Sequence, residues 1–170
     1  LTANDADCFR GATLVLSAIP TQYMRSSWKR LAPHLPAGVP IVSVAKGVEN
    51  DTLLRPTEVI ADVLRAERSG VRGQSSGESS LAALSGPNIA AEISKYLPAT
   101  AVAAAEDESL AQRVQSVFST QWFRVYTNTD VTGVELAGAT KNVIAIAAGI
   151  LDGLAAGNNA KAALVTRGLV

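Results

Sequence analysis

Lys141 stands in "VELAGATKNVIAIAAGILDGL", a run of small and aliphatic residues near the end of a 170-residue chain. On a helix its same-face neighbours, three and four residues away, are Ala137, Gly138, Ile144 and Ala145, none of them acidic. Glu135 lies about 120° round such a helix, and Asp152 shares the face but sits roughly 16 Å along the axis. An ammonium withdrawn from water without a counter-charge gives up its proton more readily, and a second cation nearby strengthens the effect. That makes Lys141 a candidate general acid/base near neutral pH. The alternative is a lysine whose stem lies on the apolar face while its head reaches water. Asn142, next in the chain, is suited to orienting a substrate carbonyl or hydroxyl.

Two further places could meet an anion. Lys46 follows the apolar run "IVSVA" and precedes Gly47, so a cation sits at the carboxyl end of a buried strand beside a residue that tolerates close approach. A solvated loop lysine is the plainer reading. "SGPNIAAE" passes from strand to helix through Gly86 and Pro87, where first-turn N–H groups and the Asn88 side chain would offer donors. An ordinary capped turn explains it equally well. His34, between Pro33 and Pro36, reads as a surface turn, and no His, Cys and carboxylate cluster has the spacing of a metal site.

These residues need a scaffold. "GATLVLSAIPTQ", "VPIVSVAKG", "LAALSGPN" and "ATAVAAAE" read as buried strands and "WFRVYTN" as an alternating one. Helices are expected from about 21 to 35, over "LLRPTEVIADVLRAE" with Pro56 in its first turn, over "IAAEISKYL", and over "DESLAQRVQSVFST" with Asp107 as N-cap. "RSGVRGQSSGESS" has the composition of a mobile surface loop. The alternation implies an α/β fold with a doubly wound, mostly parallel sheet over residues 1–128. From 129 to 170 the pattern becomes helical, with the polar "GNNAKAALVTRG" as a further helix start and solvated face. Ligands of such sheets bind beyond the carboxyl ends of the strands, which picks out "AIPTQ", "AKGVEN" and "SGPNIAAE".

Composition narrows the class. Lys plus Arg and Asp plus Glu balance at 15 each, so no net field draws the chain to nucleic acid or a membrane surface. Cys8 is the single cysteine, which excludes an internal disulfide and suits a reducing, cytoplasmic setting. The longest apolar run, Val143–Leu151, is far short of the ~20 residues of a membrane helix, and no signal peptide is evident. The chain starts at Leu1 and stops at Val170 within a helical pattern, so it reads as a fragment.

Together, "AKGVE", "SGPNIAAE", "FRVYTNTDVTGVELAGATKNVIAIAAGILDGL" and "NAKAALVTRGL" resemble the NAD(P)-dependent glycerol-3-phosphate dehydrogenase family. The resemblance covers nearly the whole chain and implies a Rossmann-type domain followed by the start of an all-helical substrate domain. It implies reversible hydride transfer between NAD or NADP and glycerol 3-phosphate or dihydroxyacetone phosphate, feeding glycerophospholipid synthesis. By matched position, Lys141 would be the general acid/base, and Lys46 would contact both substrate and nicotinamide. Gly86 and Asn88 would contact substrate, as would Asn142, while Ala90 and Pro20 would contact cofactor. Asn88 departs from the Ser or Thr of many bacterial members. The glycine-rich pyrophosphate loop would precede Leu1, and an acidic catalytic partner with an Arg-Asn pair would follow Val170. A small-molecule substrate, no nucleic acid, no membrane insertion and an optional homodimer complete the expectation. Other readings are a 3-hydroxyacid or 6-phosphogluconate type dehydrogenase, or a non-catalytic fragment that scaffolds or dimerises through its Ala/Gly-rich helix. The isolated 170-residue chain is expected to bind cofactor poorly and to lack activity; a turnover assay with dihydroxyacetone phosphate checks this.

Overall fold

Two β-branched runs make the first parallel strands, β1 (Val15–Ser17) and β2 (Ile41–Ser43), each shorter than the apolar stretch around it. The computed structural model describes residues 2, 4–69 and 80–168. It adds β3 (Leu81–Ser85), β4 (Ala99–Ala105) and β5 (Phe123–Asn128), all in one sheet ordered β1-β2-β3-β4-β5. β1, β2 and β3 are parallel, β4 and β5 are parallel, and β4 runs against β3, with Ser85 opposite Val102. The expected mostly parallel sheet is therefore present, with one reversal. The Gly/Ser-rich stretch expected as a mobile loop falls, over 70–79, outside the described residues.

Helices cover both faces of the sheet, as in a doubly wound α/β fold. On one face lie α2 (Thr21–Leu31) and α3 (Pro56–Ser69), which close over Ile41 with Met24, Trp28, Val59, Ile60, Val63 and Leu64. On the other lies α5 (Glu108–Phe118), whose Leu110, Ala111 and Val114 pack on Val42, Leu84, Ala103 and Val125. The Asp107 side chain accepts from Ser109 N at 2.9 Å and so caps α5, and α3 starts at Pro56. A four-residue helix, α1 (Asp5–Cys8), was not evident from the sequence pattern. His34 closes an exposed 3-10 turn, Ala32–His34.

The reversal at β4 has a local cause. The nine-residue helix expected over "IAAEISKYL" is a single turn, α4 (Ala90–Ile93). At 1.5 Å per residue it extends about 6 Å, too little to retrace a strand, so the chain must return antiparallel. Tyr96, with φ of 60°, helps turn it. Gly86 permits the tight start of this loop. A Cβ there would lie 2.3 Å from the Thr100 carbonyl oxygen and 2.8 Å from Ala101 Cα.

α6 (Val131–Gly153) is capped by Asp130, which accepts from Gly133 N at 2.8 Å. Its first turns pack on β3 and β4, and its later turns run on against α7 (Gly157–Gly168). α6 has 23 residues and an 18-residue stretch of mean hydropathy 1.5, so by length and composition alone it could cross a bilayer. The uncharged run Val143–Leu151 had hidden this, because Lys141 and Asp152 interrupt the count without breaking the helix. Here its N-terminal part is a layer of the α/β fold.

Arg25 of α2 joins the loop after β2 to α3, donating to both Glu49 carboxylate oxygens and pairing with Asp62. The Arg25 hydrogen bonds, outweighing burial, hold the Glu49 carboxyl below its usual 4.5, and the same partners raise the Arg25 guanidinium. A depressed carboxyl stabilises the fold above its unfolded pKa, and that contribution is lost as pH falls through the folded value. Between about pH 5 and pH 3 the melting temperature of the native protein will therefore drop more steeply than that of Glu49→Gln, as thermal melts across pH will show. Gly86→Ala, which forces backbone apart, will lower stability by about 1–3 kcal/mol, read from the denaturant midpoint.

Candidate functional site at the strand ends

The loops after β1, β2 and β3 gather at the carboxyl ends of the parallel strands, and α6 passes over them. Pro20 is the N-cap residue of α2, exposed, with no side-chain cap. The next residue, Thr21, is buried and donates from Oγ1 to the Lys46 carbonyl oxygen at 2.9 Å. Gln22 extends the tie, donating to the Val48 carbonyl at 2.8 Å and accepting from Asn50 N at 3.1 Å. Gly47, with φ of 103°, supplies the left-handed step that lets the loop fold back onto α2.

Lys46 lies three residues beyond the end of β2 and is half-buried. Its stem runs past Gly138 of α6: a Cβ on that glycine would be 3.7 Å from Lys46 Cγ and 3.0 Å from Ser85 Oγ. Lys141 is one turn further along α6, about 4.5 Å at 1.5 Å per residue. The Lys46 stem thus lies against α6 one turn before Lys141, a residue 95 positions later in the chain.

Lys141 itself departs from expectation. It is exposed rather than withdrawn from water, and its ammonium donates to Asn142 Oδ1 at 2.7 Å. Among the described residues it pairs with no carboxylate; Asp152 is taken by Lys161, at 2.6 Å. The small side chains around Lys141 leave it open to solvent.

The loop after β3 also differs. Asn88 is half-buried and donates through Nδ2 to the Thr100 carbonyl at 2.9 Å, while its N–H donates to the Gly86 carbonyl. Gly86 and Asn88 thereby close the β3–β4 turn. Ile89, with an extended backbone, is the N-cap of α4, so Pro87 lies before the helix rather than in its first turn. Ala90 opens α4 and is exposed.

Glu135 escaped the sequence reading as anything but an unsuitable partner for Lys141. Its side chain is 2% exposed and reaches the start of α3. Oε1 accepts from Thr57 N at 2.9 Å, and Oε2 accepts from Thr57 Oγ1 at 2.6 Å and from an Arg55 guanidinium N–H at 2.7 Å. Arg55 also binds Glu58, whose carboxyl is held below its usual value first by the Arg55 backbone N–H. The available signal was a lone carboxylate in an otherwise small and apolar helix, together with the free N–H groups that any helix start presents. Ser85 and Thr21 carried no such signal.

A cavity of roughly 570 Å³ opens along α3 toward the opposite ends of the strands, and none of the expected site residues lines it. Among the described residues no group of three His, Cys, Asp or Glu could hold a metal ion. The chemistry this arrangement offers is that of two ammonium groups, a hydroxyl and amide dipoles at the mouth of a parallel sheet. Such a set can neutralise an anion and exchange a proton with it.

Comparison with known proteins gives this geometry its context. The 48% identical glycerol-3-phosphate dehydrogenase [NAD(P)+] of Citrifermentans bemidjiense aligns over 96% of this chain and 46% of its own length. That of Koribacter versatilis is 49% identical over 99% of this chain and 48% of its own. The crystal structure of glycerol-3-phosphate dehydrogenase from Coxiella burnetii, 35% identical, superposes with a TM-score of 0.78, covering 96% of this chain and 46% of that one. The chain spans about half the length of these relatives. Residues 1–111, with the first four strands, match the family description "NAD-dependent glycerol-3-phosphate dehydrogenase N-terminus", and residues 130–170, with α6 and α7, match its C-terminus. The chain belongs to the NAD-dependent glycerol-3-phosphate dehydrogenase family.

Proposed function

We propose that the polypeptide carrying this chain is an oxidoreductase that interconverts glycerol 3-phosphate and dihydroxyacetone phosphate with NAD or NADP. The observation that carries the reading is the Lys46 stem lying against Gly138, one helical turn from Lys141, at the strand ends where dinucleotides bind in such sheets. The exposed Pro20 and Ala90 stand in the loops after β1 and β3, and the hydrogen bond from Thr21 to the Lys46 carbonyl ties the loops after β1 and β2 together. Pro20, Lys46 and Ala90 would hold the cofactor, which supplies or accepts the hydride.

Lys141 acts as general acid/base. On oxidation its neutral amine takes the proton of the C2 hydroxyl as hydride leaves C2; on reduction its ammonium returns a proton to the ketone oxygen. Asn142, hydrogen-bonded to that ammonium, orients it and the substrate oxygen. Lys46 opposes the charge that develops on oxygen, a preorganised cation where negative charge grows. Gly86 and Asn88 bring the β3–β4 turn against the substrate. The Lys141 head is accessible to solvent here, so its proton exchange with water needs no relay. The product of the reductive direction is a three-carbon phosphate ester of the kind consumed in glycerophospholipid synthesis, and we place the reaction in the cytoplasm.

Lys141→Ala in the full-length polypeptide will lower kcat for dihydroxyacetone phosphate reduction by about 10²–10⁴-fold, the usual worth of a positioned acid/base. Steady-state kinetics with NADH and NADPH read this out. Turnover close to wild type, or activity on a 3-hydroxy acid without activity on glycerol 3-phosphate, would overturn the assignment.

A further inference from the structure

Among the described residues the Lys141 ammonium meets the adjacent Asn142, which moves with it on the same helix. Where the lysine sits therefore depends on how the helix as a body is held, and a buried anchor of that body lies six residues earlier. Glu135 is buried, and its carboxylate is bound from three sides by Thr57 N, Thr57 Oγ1 and Arg55. Thr57 and Arg55 stand at the start of α3, which continues from the same loop that carries Lys46. We propose that Glu135 is a positioning residue: it fixes the rotation of α6 so that Gly138 faces Lys46 and Lys141 projects into the crevice.

The geometry makes this sensitive. A rotation of α6 by ~20° would carry a side-chain tip ~6 Å from the axis through about 2 Å. Misplacement of ~1 Å can cost on the order of 10²-fold in rate. A carboxylate resists such rotation better than an apolar contact would, because a slip leaves Thr57 N–H and a charged group without partners in a buried place. Gly138 cannot supply the restraint alone, since it presents no side chain to interlock. The proposal rests on the role given above to Lys141.

A double-substitution test in the full-length polypeptide separates positioning from folding. Glu135→Gln keeps the size but turns an amide toward Arg55. It will lower kcat for dihydroxyacetone phosphate reduction by about 10–100-fold while KM for NADH stays within about threefold. In a Lys141→Ala background the same substitution will change the residual kcat by less than about threefold, because the group it aims is gone. Equal losses in both backgrounds, or an undiminished kcat for Glu135→Gln, would overturn the proposal and leave Glu135 a structural tie. Full activity of Lys141→Ala would sink the proposed function as well, so the two failures are distinguishable. If Glu135→Gln does not fold, Thr57→Val serves instead: it keeps the N–H bond, loses the hydroxyl bond, and will show the same background dependence at several-fold scale.

Discussion

A carboxylate taken out of water must be surrounded by donors or the fold cannot tolerate it. Glu135 meets that condition by reaching from α6 to the start of α3, where an unpaired helix N–H, a hydroxyl and a guanidinium converge on its two oxygens. Few other arrangements would satisfy the charge. The demand therefore fixes where α6 lies on the sheet, and with it the face that α6 turns toward the strand ends. The buried ionic contact works less as a source of stability than as a specification of register between two helices.

Around that restraint the strand-end loops are held by backbone-directed bonds. Thr21 binds the Lys46 carbonyl, Gln22 binds Val48 and Asn50, and Asn88 binds the Thr100 carbonyl. These side chains close loops onto neighbouring loops, while Lys141 and Asn142 stay exposed and bond each other. Gly47 and Gly86 serve the same end: one turns a loop back, the other lets two backbones meet.

Much of this was legible in the sequence. β-branched runs closed by Gly or Pro marked the strands, Pro56 and Asp107 marked helix starts, and the change to small-residue helix near 130 marked α6. Lys141 stood out because it lacked a local acidic partner, and Lys46 because it stood at the carboxyl end of a buried strand before Gly47. Other features were not readable, for physical reasons. The short α4 has a composition that would suit a longer helix, yet the chain turns away just past it at Tyr96, with a φ of 60°. The exposure of Lys141 depends on what surrounds α6 in three dimensions, which periodicity does not encode. The Glu135 tie joins residues 78 and 80 positions apart, and spacing along one helix says nothing of it.

α6 is unbroken from Val131 to Gly153, so its sheet-packed turns and the turn bearing Lys141 form one stiff rod. Mechanically, the lysine belongs with the sheet even though it is reached only after the chain has left the last strand. The backbone first departs from helix at Leu154–Ala156, where Ala155 takes a left-handed φ of 51°. Any hinge that lets the later helices swing would sit there, roughly 20 Å past Lys141 along the rod. Opening and closing at that point would bring other groups to the lysine and carry them away, while its distance to Lys46 stayed constant.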